Sequence, residues 1–249
     1  MAAAKLRRFI LLGILVLFIL FLYGPTLTIL VLSFQGPDGG LTFPMNGFSV
    51  HWFARLFEPQ AVGDFGGSLT RSVILASMVM VATVVVSVSA GLAFRRRFRG
   101  SGPLFVLTVA SLIIPSILVS LGVGLLFNFL GWDPDWYSSA FGAQLTWTLP
   151  FGLLIMFAVF NRFNPTWEEA ARDQGATGWQ SFRHVVLPII APSVIGIALF
   201  GFTLSYDEFA RTLLTAGSDN TLPLEIFGMT TSVTTPVLYA LGTVTTVFS

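Results

Sequence analysis

Glu168 to Pro188 reads EEAARDQGATGWQSFRHVVLP, and this stretch decides how the rest of the chain is read. It is the longest polar interruption between two apolar segments that also has helical character. Thr166 stands three residues before Glu169, the spacing of a capping box, so a helix is expected to start there. Ala170 and Ala171 favour its continuation. Gly175 is expected to end it, because a left-handed residue commonly follows a helix C-terminus. Trp179, Phe182, Val185 and Val186 then recur at helical spacing, and Pro188 opens the next apolar segment. The expectation is a short helix, a glycine bend and a second amphipathic helix, held at a membrane surface.

The composition supports a membrane setting. The 249 residues are 54% hydrophobic and 10% charged, against roughly 25% charged residues in soluble domains. Apolar runs recur at lengths that cross a bilayer, so an all-α polytopic membrane protein of about six spans is expected. Their approximate bounds are 9–34, 72–94, 104–130, 141–160, 188–205 and 237–249, the last too short to cross by itself. Gly24-Pro25 is expected to kink the first span, and Pro115 to break the third, with Ser111, Ser116 and Ser120 satisfying the freed carbonyls. Ser49 to Phe57 reads as a short interfacial amphipathic helix capped by Ser49. The whole chain, 1–249, reads as one transmembrane domain, with 166–187 as its principal polar loop.

Charge sets the expected orientation. With the N-terminus inside, Lys5, Arg7, Arg8, the run from Arg95 to Arg99, Arg162, Arg172 and Arg183 are all cytoplasmic, while Arg55, Arg71 and Arg211 fall outside. The arginine run between apolar spans reads as a helix stop and not as a nucleic-acid site. The chain has no cysteine, which excludes thiol chemistry. Lys5 is its only lysine, so no Walker A loop is present and any ATP-driven motor must be another polypeptide. His51 and His184 lack nearby ligand partners, and no metal site, cofactor site or catalytic residue is expected.

The loop carries a resemblance. Glu169, Ala170 and Ala171, with Gly175 four residues on, then Val185, Leu187 and Pro188, resemble the EAA loop of bacterial ABC-importer permeases, with Val185 where Ile is usual. The resemblance implies a cytoplasmic coupling helix that docks on an ATP-binding subunit, which itself holds ATP and Mg. It also implies a periplasmic solute-binding protein, a second homologous permease (a heterodimer is favoured) and a bacterial inner membrane. LSYDEF and TLPLEIFGM, together with SVHWFARLF and TWTLPFGLLI, are similar to spermidine/putrescine-type permeases. Relatives of that pattern handle polyamines, aminoethylphosphonate, opines or ferric iron. This sequence has Arg71 where Asn is usual and Gln144 where His is common.

Ser205, Tyr206, Asp207 and Glu208 close the fifth span. They read either as an acidic mouth or outer gate for a cationic solute, or as a solvated helix end. Trp147, Tyr206 and Phe209 read either as part of an aromatic cage for an ammonium group or as packing residues. An energy-independent channel is the other class compatible with the composition. It leaves the loop spacing unexplained.

Overall fold

A computed structural model describes residues 2–58, 63–96, 98–232 and 235–248. Arg97 in the basic run and Ser249 lie outside the described residues. The described chain is helical; its one β-bridge, Gln35 with Phe48, is isolated. It divides into two compact units, residues 66–225 and residues 1–65 with 226–249.

In the second of these, α1 (Ala2–Leu32) is a 31-residue helix that runs through Pro25 without interruption. Its side chains from Phe9 to Leu22 are exposed. An all-round apolar helix of this length belongs in lipid. The following loop turns on Gln35, which is fully buried: its Nε2 donates to Gly40 O at 3.1 Å and its Oε1 accepts from Asn46 N at 2.7 Å. The short helix α2 (His51–Arg55) is smaller than the Ser49–Phe57 expectation. Ser49 Oγ does accept from His51 N at 3.0 Å, but Val50 is the residue at the cap. α11 (Val237–Phe248) packs on both α1 and α2, and Tyr239 Oη donates to Leu41 O at 2.7 Å.

The larger unit is built on three long elements. α3 (Phe65–Phe94) supplies one, apart from its first residue. A π turn (Trp136–Ala140) continues into α6 (Phe141–Arg162). A second π turn (Phe182–Val186) continues into α9 (Leu187–Tyr206). Small residues let these pack closely. A side chain at Gly152 would collide with Ser87 of α3, and Thr83 Oγ1 donates to Thr148 Oγ1 at 2.9 Å across the same seam. Met156, Phe163, Val186, Ile190 and Ile197 form one apolar cluster, and Leu75, Val79 and Ala140 form another.

The third apolar segment is broken, as Pro115 requires. α4 (Ser101–Ala110) ends, five non-helical residues follow, and α5 (Ser116–Phe129) begins after the proline. The serines around the break do not all serve the freed carbonyls as expected. Ser111 Oγ lies 2.7 Å from both Thr108 O and Thr146 O, whereas Ser116 and Ser120 accept hydrogen bonds from a segment far along the chain.

Among the described residues, four helices can by length and composition cross a membrane: Lys5–Leu32, Phe65–Phe94, Trp136–Arg162 and Gly178–Tyr206. α4, α5 and α11 are shorter and apolar. One helix was not foreseen, α10 (Leu222–Ser232), which begins within the TLPLEIFGM stretch. Pro223 in its first turn lacks an N–H that would have no intrahelical partner there, so it starts the helix rather than breaking it.

Candidate functional site

Two polar regions interrupt the apolar helices of the larger unit. The first is the hairpin, formed by α7 (Thr166–Asp173) and α8 (Gly178–Ser181). The expected capping box at Thr166 and Glu169 is absent. Pro165 is the cap residue, Thr166 is already helical, and the Thr166 N–H donates to Asn164 Oδ1 at 3.1 Å. Pro165 fixes the backbone into the helix one residue early, which displaces Thr166 from the cap. The capping box lies instead at α8: Thr177 N–H donates to Gln180 Oε1 at 2.8 Å and Gln180 N–H donates to Thr177 Oγ1 at 3.3 Å.

Gly175 does what its type implies. Its φ is +87°, a region that costs a residue with a Cβ. Gly175 N–H donates to Arg172 O at 2.8 Å, and Ala176 N–H donates to Ala171 O at 3.1 Å. These are the two bonds of a Schellman motif, which satisfies the last carbonyls of α7. Glu169 and Ala170 are exposed and Ala171 is half-buried. Beyond the bend, Leu187 is half-buried and Pro188 exposed, at the start of α9, and Trp179 is exposed.

One contact ties this hairpin to the transmembrane helices. Arg95, just past the end of α3, pairs with Glu168, their side chains 22% and 16% exposed. The guanidinium carbon lies 5.2 Å from the Phe160 ring centroid and 4.9 Å from that of Phe163. Partial burial strengthens such a pair relative to a fully solvated one, and the aromatic faces attract the same cation. Beside it opens a cleft of 780 Å³ lined by Leu92, Arg96, Glu169, Arg172 and Trp179, among others.

The second region is the chain from Ser205 to Gly217. The sequence places its charged residues at an external helix end, and the structure divides them. Asp207 is exposed, but Glu208 and Arg211 are 7% and 2% exposed, and Thr212 and Thr215 are fully buried. Arg211 is therefore not the solvated loop residue that its topology implied. After Tyr206 the backbone turns back among α5 and α6. Glu208 Oε1 accepts from Arg211 N–H at 2.8 Å, which steadies the turn. Arg211 Nε donates to Thr146 Oγ1 at 3.1 Å and Nη1 to Ser116 Oγ at 2.8 Å, with its guanidinium carbon 4.8 Å from the Trp147 ring centroid.

Gln144 is the hub beside it. It is fully buried, its Nε2 donates to Thr212 Oγ1 at 3.0 Å, and its Oε1 accepts from Ser205 Oγ. Leu214 N–H donates to Ser120 Oγ at 2.9 Å, and Ser139 Oγ to Thr215 O at 2.6 Å. The structure thus gathers Ser205, Glu208 and Trp147 with Gln144, Ser116 and Arg211, the last three unforeseen as site residues. Tyr206 is buried and stacks on Phe202, its neighbour one turn back in α9. Trp147 faces a guanidinium of its own chain, so in this conformation its face is not open to an external ammonium group. A lone arginine between Ala210 and Thr212 carries no sequence signal for such burial.

Comparison with known proteins follows this geometry. Residues 83–249 match the family described as binding-protein-dependent transport system inner membrane component. The chain is 31% identical over 235 residues to the spermidine/putrescine transport system permease protein PotC of Escherichia coli K12, covering 92% of this chain and 85% of that one. It is 29% identical over 239 residues to the putrescine transport system permease protein PotI of the same strain, covering 92% and 83%. A crystal structure of a bacterial ABC transporter that imports the acidic polysaccharide alginate superposes with a TM-score of 0.73 at 16% identity, over 99% of this chain and 92% of that chain. The same kind of transporter in complex with a periplasmic protein carrying an alginate pentasaccharide superposes with a TM-score of 0.66. At that identity the likeness speaks for the fold alone. A helical chain with a polar hairpin between long apolar helices, matched by the family model over most of its length, belongs to the inner-membrane component family of binding-protein-dependent transport systems.

Proposed function

We propose that the chain is the permease subunit of an ATP-binding-cassette importer and that the α7–α8 hairpin is where the motor acts on it. The observation that carries this reading is the hairpin itself. Glu169 and Ala170 are exposed, the bend at Gly175 is held by two backbone bonds, and Arg95 joins Glu168 to the end of α3. A helix braced in this way can move as a lever and transmit a push to the helices. The 166–187 loop would dock on an ATP-binding subunit, with Leu187 and Pro188 carrying the motion into α9. ATP and Mg would be bound by that subunit, and this chain needs no cofactor of its own.

In this reading residues 1–249 form one permease domain of six spans, the broken α4–α5 pair acting as one span and α11 contributing to the sixth. The N-terminus and the hairpin face the cytoplasm. A second, different permease completes the pathway, and a periplasmic binding protein delivers the solute. Ser205, Tyr206, Asp207, Glu208 and Trp147 lie along the pathway or its outer gate. The relatives support a polyamine such as spermidine or putrescine as the solute. A second reading keeps the importer and changes the cargo to aminoethylphosphonate, an opine or ferric iron; the buried Arg211 favours the first two, which carry anionic groups.

Calorimetry of the cognate binding protein against putrescine, spermidine, aminoethylphosphonate, an opine and ferric iron tests the solute. Tight binding of a polyamine alone supports the first reading, and tight binding of one of the others replaces it. Uptake that persists after the ATP-binding subunit is removed would sink the importer reading in favour of a facilitator.

A further inference from the structure

A cation lies inside the larger unit. Arg211 is 2% exposed. Its partner Ser116 opens α5 in the middle of the broken third segment, and Trp147 lies in α6 about 9 Å of helix rise from Phe141. Ionisable side chains at such depth are costly and are kept where a polar pathway needs them. The buried Glu208 carboxylate acts on this charge through space without pairing with the guanidinium directly. Among the described residues no carboxylate oxygen lies within 4.0 Å of the guanidinium; Glu208 bonds the Arg211 backbone N–H instead.

What surrounds the guanidinium is rich in unspent donors. Nε and Nη1 are used, on the Thr146 and Ser116 hydroxyls, and Nη2 has no hydrogen-bond partner among the described residues. Trp147 Nε1–H is buried and likewise without a partner. Ser116 Oγ accepts from Arg211, which leaves its own hydrogen to give. Ser116 is also the first residue of α5, a 14-residue helix that starts within the apolar segment because Pro115 breaks it. The first turn of such a helix offers N–H groups without intrahelical partners and the positive end of the macrodipole. Discontinuous membrane helices present this kind of end to anionic groups of a solute.

We propose that Arg211, the Trp147 indole N–H and the start of α5 at Ser116 form a binding site for an anionic group of the transported solute, a carboxylate or a phosphonate. The site rests on the importer reading and departs from a pure polyamine as cargo. An oxyanion would take the unused Nη2 and indole N–H donors and pair with the guanidinium directly. Such a solute is an amino acid derivative or an aminophosphonate.

The test is uptake kinetics of the assembled transporter, with partner permease, ATP-binding subunit and binding protein, using putrescine, 2-aminoethylphosphonate and an opine as probes. The site predicts uptake of the phosphonate or the opine. Arg211→Gln should raise KM for that solute by at least about tenfold, the loss of one buried charged partner. Arg211→Lys should restore part of the affinity. Trp147→Phe, which keeps the ring and removes the N–H, should raise KM with little change in kcat.

Uptake of putrescine alone, at a KM that Arg211→Gln leaves unchanged, would overturn the anion site while leaving the importer and polyamine readings standing. Phosphonate uptake with an unaltered KM in Arg211→Gln would overturn the site and leave the importer. If Arg211→Gln does not assemble, Trp147→Phe and Ser116→Ala decide, and unchanged KM values in both overturn the proposal.

Discussion

The hairpin at 166–188 and the segment at 205–217 are both polar interruptions of apolar helices, yet they are held by opposite means. In the hairpin the deciding bonds are local. Ala176 reaches back to Ala171, Gly175 to Arg172, and Thr177 and Gln180 bond each other. In the segment they are distant: Ser205 meets Gln144 across 61 positions, Leu214 meets Ser120 across 94, and Arg211 meets Ser116 across 95. The hairpin leaves Glu169 and Ala170 exposed. The segment draws an arginine out of solvent. One region is held by its own neighbours and left exposed, the other is held from a distance and buried.

Breaking the hairpin should have the largest effect. Gly175→Pro demands φ near −65° where the backbone needs +87° and deletes the N–H that bonds Arg172 O. A local cost of about 3 kcal/mol or more is expected, and uptake should fall to background. ATP hydrolysis by the assembled complex should persist, and the protein should stay in the membrane. Normal uptake by this variant would refute the lever.

Breaking the segment at its hub comes next. Gln144→Leu leaves the Ser205 hydroxyl buried without its acceptor and removes the donor to Thr212. A loss of about 1–3 kcal/mol is expected, read as a lower thermal midpoint of the detergent-solubilised complex. An unchanged midpoint would mean that the network can rearrange around the loss.

The smallest expected effect sharpens the hairpin. Thr177→Ala removes one half of a capping box and should cost about 1 kcal/mol. Thr166→Ala should cost little, because its side chain makes no cap bond. Equal effects of the two would return the cap to Thr166. The variants can be compared by limited proteolysis within 166–188.

Much of the fold was legible because its rules are local. The apolar runs foretold the long helices, and Pro115 foretold the break between α4 and α5. Gly175 foretold the left-handed bend. Thr166 misled because it stands at capping-box spacing from Glu169, and only the backbone set by Pro165 takes it out of the cap position. α10 was missed because LPLEIFGM is a short apolar run after a proline, which reads equally well as a loop.

The sequence alone determined that this chain is a helical membrane protein, where Pro115 breaks one apolar segment and where a polar hairpin interrupts the others. Hydrophobic length, proline geometry and glycine handedness act on neighbouring residues, so they are readable in order. Only the tertiary structure decided that Ser116, Gln144, Trp147, Glu208 and Arg211 belong together. Their association depends on how two helices and a returning segment pack, and burial of a charge is settled by neighbours that arrive from far along the chain. The same packing turned Arg211 from a presumed surface residue into a buried cation, with Ser116 and Trp147 ready to help it receive an anion.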